Sequence, residues 1–221
     1  MSGTVKYRCR ITDMTQTLTD SDSDIETIAS HRHRLLEGMA HAAAAKGYAE
    51  TTIADIVREA GVSRRTFYEH FTTKADCLIA LYEAASHNAL NVLREAIDPL
   101  RDWQDQVETA MSAYFGCLSQ NPVLMRTLFI EILGLGPEGL AARRRVNEEI
   151  AGFMLMVING KGRGVSKGRH NGPLSPDMAM AVVGGINELV LQAIEGDRVH
   201  QLHQLTAPAV RLVRAVTRDN T

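Results

Sequence analysis

Residues 52–74, TIADIVREAGVSRRTFYEHFTTK, decide the reading of this chain. Thr52 and Asp55 form a capping box, in which a hydroxyl and a carboxylate three residues apart satisfy each other's backbone N–H at a helix start. The helix so opened is short: Ile53, Ile56, Val57 and Ala60 share one side, and Gly61 stops it. Val62 is apolar within the turn, and Ser63 is an N-cap for a second short helix, 64–70. A three-residue connection, Gly61-Val62-Ser63, crosses two helices at a steep angle. Phe67 and Phe71 are four apart and share the buried face of the second helix. Its other side presents Arg64, Arg65, Thr66, Tyr68 and His70. An arginine fork suits guanine O6 and N7, a threonine methyl suits thymine, and Tyr and His suit phosphate oxygens. The positive end of the helix adds a further phosphate site. The pattern predicts a helix-turn-helix whose second helix enters the major groove of double-stranded DNA.

Outward from this segment the period stays helical. Leu35, Leu36, Met39, Ala40, Ala43 and Ala44 recur every 3.6 residues and predict an amphipathic helix over ~29–46, ended by Gly47. Thr73 and Asp76 form a second capping box, opening a long helix to about Ala96, where Asp98-Pro99 breaks it. Further helices are expected at ~100–119, 122–133, 137–159, 176–195 and 198–217, the last kinked near Pro208 and two of them opened by Pro122 and Pro137. No alternation of period two is sustained. The fold class expected is all-α, about nine helices, with a three-helix DNA-binding domain at 25–74 and a second helical domain at 75–221. Residues 1–24 are polar and without an apolar period, and read as a disordered tail. The segment 159–173, NGKGRGVSKGRHNGP, reads as a loop.

Composition sets the remaining bounds. The chain has 221 residues, 45% hydrophobic and 23% charged, with a formal net charge of −2. That is ordinary globular chemistry, so DNA affinity has to come from a local patch. Residues 30–75 carry seven Lys and Arg against five Asp and Glu, an excess in the right place but small. Cys9, Cys77 and Cys117 show neither CxxC nor paired spacing, which argues against a disulfide framework and a zinc knuckle. No apolar stretch reads as a signal peptide or a membrane span, so the expected location is cytoplasmic.

Residues ~30–80 resemble the N-terminal DNA-binding domain of the TetR family of bacterial repressors. The resemblance rests on Gly47-Tyr48, Thr51-Thr52-Ile53, Ala60-Gly61-Val62-Ser63, Thr66-Phe67-Tyr68, His70-Phe71 and Lys74, in that order and spacing. It implies that Arg64, Arg65 and Thr66 face bases, that Tyr68 and His70 hold phosphates, and that Lys74 and the Thr52 cap clamp the DNA backbone from the flanking helices; Ser63, the cap of the second helix, counts with them among the DNA-binding residues. One departure is Val57, where the family usually has alanine.

The C-terminal two-thirds carry no GxSxG, HExxH, Walker or Rossmann signature, so neither catalysis nor a cofactor or metal is expected. Gly160-Lys161-Gly162-Arg163-Gly164 is not ended by Lys-Ser/Thr, and His200 and His203 have no carboxylate or cysteine partner in the sequence. Methionines and aromatics recur there: Trp103, Met111, Tyr114, Met125, Phe129 and Met154 are candidates for an adaptable pocket, or for ordinary core. The family resemblance implies a cavity with a small apolar effector inside, with Tyr114, Asn147 or Glu148 as polar contacts. The helix at 176–195 is apolar on two sides, so its own domain covers one and something else the other. Val182, Gly185, Ile186 and Leu189, with Leu205 and Leu212 of the last helix, are the candidate homodimer interface. The expected function is a ligand-responsive repressor bound to a near-palindromic operator. The alternatives are an activator of the same fold and a helical small-molecule binding protein without an operator.

Overall fold

The structure is a computed structural model that describes residues 23–98, 100–159 and 174–217. It is all-α: α1 Ser23–Lys46, α2 Ile53–Ala60, α3 Arg64–His70, α4 Lys74–Ala96, α5 Trp103–Leu118, α6 Pro122–Arg126, a π-turn Thr127–Glu131, α7 Ile132–Gly134, α8 Pro137–Asn159, α9 Pro176–Glu195, a 3-10 turn Val199–Leu205, and α10 Thr206–Thr217. Residues 1–22 of the expected tail and 160–173 of the expected loop lie outside the described residues, while Ser23 and Asp24, assigned to the tail, begin α1.

These residues gather into two compact units. One holds 23–86 and 123–142; the other holds 87–122, 143–159 and 174–217. The first therefore contains the helix-turn-helix together with α6, the π-turn and α7, which the sequence reading had grouped with the C-terminal helices. α4 is one unbroken helix with residues in both units.

In the first unit α1 buries Leu35, Leu36, Met39, Ala40 and Ala43, as its period requires; Ala42 is buried too, and Ala44 faces solvent. Gly47 ends α1 at φ 82°. α1 and α2 meet at Gly38, where a Cβ would stand 2.5 Å from the Ile56 carbonyl oxygen and 2.9 Å from the Ala60 nitrogen. Only a residue without a side chain permits that approach, and the periodicity argument gave no sign of it. Val57, the departure from the family pattern, is only half-buried. Cys77 lies in this core as a free thiol, and burial pushes its pKa up to about 12.

Outside the helix-turn-helix, Pro122 and Pro137 begin helices as expected. Two departures concern helix type. The 122–134 stretch contains a π-turn, and the kinked helix expected over 198–217 is a 3-10 turn followed by α10. Pro208 falls in the first turn of α10, where its missing N–H costs nothing, so the break precedes it. Cys117 is disulfide-bonded, contrary to the expectation from spacing. α9 is the one helix among the described residues with the length and apolarity of a membrane span, a feature that core helices of globular proteins share. Ala179, Val182, Val183, Ile186 and Val190 are buried within the unit.

Candidate nucleic-acid interface

Local capping builds the interface. The Thr52 hydroxyl accepts from the Asp55 N–H at 3.2 Å, and Asp55 Oδ2 accepts from the Thr52 N–H at 2.9 Å. Asp55 also takes Lys46 from the end of α1 and Arg58 at 3.0 Å. The Lys46 hydrogen bond, then those from Thr52, hold its carboxyl well below the usual carboxylate range. α2 ends on Gly61 at φ 61°, and the Gly61 carbonyl accepts from Arg34 Nη2 of α1 at 2.7 Å. Three anchors thus fix the turn into α3 before any DNA is considered.

The Ser63 hydroxyl caps α3, accepting from the Thr66 N–H at 3.0 Å and lying 2.9 Å from the Thr66 hydroxyl. Phe67 is fully buried and Phe71 nearly so, their ring centroids 5.7 Å apart. Rolled onto these two rings, α3 turns Arg64, Arg65 and Tyr68 outward. Tyr68 is 53% exposed and rests its ring edge on Phe67 at 5.5 Å. Arg65 donates from Nε to Glu69 at 3.1 Å. His70 is half-buried; burial, then the charges of His31 and Arg32, lower its pKa, so a neutral imidazole is favoured. It offers a phosphate one neutral N–H and no full charge.

Two predicted contacts are engaged inside the protein. Lys74 Nζ donates to the carbonyls of Tyr48, Ala49 and Thr51 at 2.9, 3.2 and 2.8 Å, and lies 4.3 Å from the Tyr48 ring centroid. An ammonium has three donors, and all three hold the link between α1 and α2. The Thr52 hydroxyl likewise donates to Asp55 at 2.6 Å. Among the candidates Thr52, Ser63, Arg64, Arg65 and Tyr68 are exposed, whereas Lys74 is half-buried.

Residues 35–81 match the model of the bacterial regulatory proteins of the tetR family. The chain carries a TetR-family DNA-binding domain. It is also similar to the fatty acid metabolism regulator protein of Bacillus subtilis, 22% identical over 181 residues that cover 81% of this chain and 92% of that protein. It is 25% identical over 84 residues to the transcriptional activator FasR of Mycolicibacterium smegmatis, covering 38% of each chain. Among solved structures it resembles the regulator FadR from Bacillus subtilis in complex with stearoyl-CoA: TM-score 0.65, 18% identity, 84% of this chain and 98% of that one. That last likeness is one of fold.

Beyond its TetR domain the chain holds a half-open apolar cavity of about 70 Å³ within the second unit. Of the six pocket candidates, Trp103, Met111, Tyr114 and Met154 line it. Met125 and Phe129 do not: they belong to the other unit, on α6 and the π-turn. The reading from methionine and aromatic content could not tell these groups apart, because both segments are equally apolar. Leu93 of α4, Ile97 just beyond its end and Phe153 of α8 also line the cavity, and nothing in that content marked the first two. Asn147 is buried and accepts at 2.9 Å from Asn187, which borders the cavity; Glu148 is exposed.

The α9 candidates separate in the same way. Val182 and Ile186 are 1% and 6% exposed within their own chain, so they belong to its core, and Ile186 borders the cavity. Gly185 packs on Leu212, whose Cδ2 would stand 3.2 Å from an added Cβ. Leu189, Leu205 and Leu212 remain half-buried.

Proposed function

We propose that this TetR-domain regulator binds a near-palindromic operator as a homodimer and is released from it by an effector with a long apolar tail, a fatty-acyl chain, held in the cavity. The observation that carries the reading is a cavity with an apolar wall, the environment a hydrocarbon chain requires and a polar metabolite avoids. The names of the Bacillus subtilis relative and of the stearoyl-CoA complex support the same chemical class. The cavity is narrow, so a long chain must push side chains apart. Met111 and Met154, unbranched thioethers, are the walls that yield most cheaply.

DNA contact rests on α3: Arg64, Arg65 and Thr66 toward bases, Tyr68 and His70 toward phosphates, with Ser63 and Thr52 presenting the helix starts. The dimer face is the half-buried side of α9 and α10, around Gly185, Leu189 and Leu212, with Leu205 of the 3-10 turn at its edge; paired across a two-fold axis, these helices make a four-helix bundle. Leu93 of the cavity wall and the α4 start beside α3 lie on one helix. An effector that binds one α4 geometry better than another shifts the population of DNA-competent chains; a tenfold shift needs about 1.4 kcal/mol of differential affinity.

The test selects bound DNA from a random pool, then titrates the selected duplex complex with dodecanoyl-CoA and stearoyl-CoA. A two-fold symmetric motif, with anisotropy falling on addition of either thioester, supports the proposal. An asymmetric motif, or a complex indifferent to both, overturns it. Activation is the second reading, favoured by the activator FasR; a reporter gene that loses expression when the regulator is deleted would establish it.

A further inference from the structure

The cavity wall is unevenly exposed. Val107, Ala110, Met111, Ile158, Val183 and Val213 are buried, whereas Ile97, Trp103, Phe153, Met154 and Val157 are half-exposed. The opening therefore lies where the end of α4 and the start of α5 face the middle of α8. A cation stands there. Arg94 is exposed one residue from Leu93 and three from Ile97, both in the wall, and its guanidinium carbon lies 5.9 Å from the centroid of the Phe153 ring. Nη1 donates to Asn91 at 2.9 Å, and the residue is exposed. Asp98, the carboxylate that follows Ile97 in the chain, lies 3.5 Å from Arg101, which screens its repulsion of an anion.

We infer that Arg94 is a headgroup residue: it holds the anionic end of an amphiphile whose apolar tail enters past Phe153 and Ile97. This rests on the acyl-chain reading above and adds what that reading lacks, a residue for the polar end. A guanidinium fork recognises planar carboxylates and phosphates by paired charge-assisted hydrogen bonds. The shared chemistry is a delocalised anion at the end of a long alkyl chain. It has two sources, the carboxylate of a free fatty acid and the phosphates of its coenzyme A thioester.

Trp103, the chain's single tryptophan, is part of the wall and reports occupancy by its emission. The full-length protein is titrated with dodecanoate, dodecanoyl-CoA and dodecanol, below their micellar concentrations, as wild type, Arg94→Gln and Arg94→Lys. The wild type is expected to prefer at least one anionic ligand over dodecanol by roughly fivefold, which the pairing of one exposed fork with an anion supplies. Arg94→Gln should bring that ligand down to the alcohol's affinity while the alcohol's own is unchanged; Arg94→Lys should fall between. The anionic arm that responds names the source. An Arg94→Gln protein that keeps the anionic preference, or that loses all three ligands equally, overturns the inference. Wild-type emission unmoved by all three ligands overturns it too, and in that case the acyl-chain reading of the cavity falls first.

Discussion

Lys74→Met keeps the length of the side chain and deletes its three donors. The variant separates two tasks that one residue cannot share, clipping the α1–α2 link and clamping DNA phosphate. Nζ serves the carbonyls of Tyr48 and Thr51 in partly buried positions and that of Ala49 in an exposed one. Water replaces the exposed bond at little cost. Hydrogen bonds to a charged group contribute about 1.5–3 kcal/mol each, and two that share one ammonium are not additive, so about 3 kcal/mol is expected for the pair. The lost contact with Tyr48 adds about 0.5–1 kcal/mol at an exposed site, part of which the methionine thioether restores against the ring. A loss near 3 kcal/mol lowers the melting temperature by roughly 6–12 °C for a chain of this size. Differential scanning fluorimetry reads that number. The decisive assay is the salt dependence of operator binding. A lysine on a phosphate contributes about 0.9 to the slope of log K against log salt, whereas one occupied by carbonyls contributes nothing. The expected variant melts early, binds more weakly at every salt concentration and keeps the wild-type slope. A variant with native melting and a slope shallower by about one would refute the reasoning and return Lys74 to the DNA.

Other expectations are more local. Gly38→Ala sets a methyl against the Ile56 carbonyl; overpacking of this kind costs about 1–3 kcal/mol, partly offset by alanine's better helix propensity, and thermal melting should fall accordingly. Asp55 is held below the ordinary carboxylate range by Lys46, Thr52 and Arg58, with burial opposing. Its contribution to stability is therefore present above the unfolded value near 3.9 and is lost as pH falls through the depressed folded value; Asp55→Asn should flatten the acid limb of a stability–pH profile. Arg65→Ala should relax base preference in a DNA-selection experiment more than it lowers the salt slope, since a base-directed fork costs about 1–3 kcal/mol of discrimination. A slope that drops by one with the preferred sequence unchanged would assign Arg65 to phosphate.

Much of the DNA-binding half was legible because its signals are local. Thr52 and Asp55, Ser63, Gly47, Gly61, and Thr73 with Asp76 each act within four residues, and each does its expected work. Helix limits set by proline were legible for the same reason. What escaped was every feature that depends on which segments meet. Gly38 looks like an ordinary helix glycine until α2 lies against it. Lys74 looks like a free cation until three carbonyls 23 to 26 residues away arrive at its ammonium. Val182 and Ile186 fit an interface stripe, yet their own unit consumes them. The pocket divided similarly: Trp103 and Met154 come together, while Met125 and Phe129, equally apolar, go to the other unit. Periodicity tells which side of a helix is buried and is silent on what buries it.

The contact between Arg65 and Glu69 bears on how such a helix searches a genome. In the proposed interface the guanidinium starts out holding a decoy, a carboxylate one turn away on the same cylinder. Meeting an arbitrary phosphate, it exchanges one anion for another and gains little, so idle encounters stay brief. Guanine offers two acceptors in the plane of the fork, which a single carboxylate oxygen at 3.1 Å does not match. Breaking the internal pair costs the same at every site, so it weakens binding everywhere and leaves the difference between right and wrong bases to the fork itself.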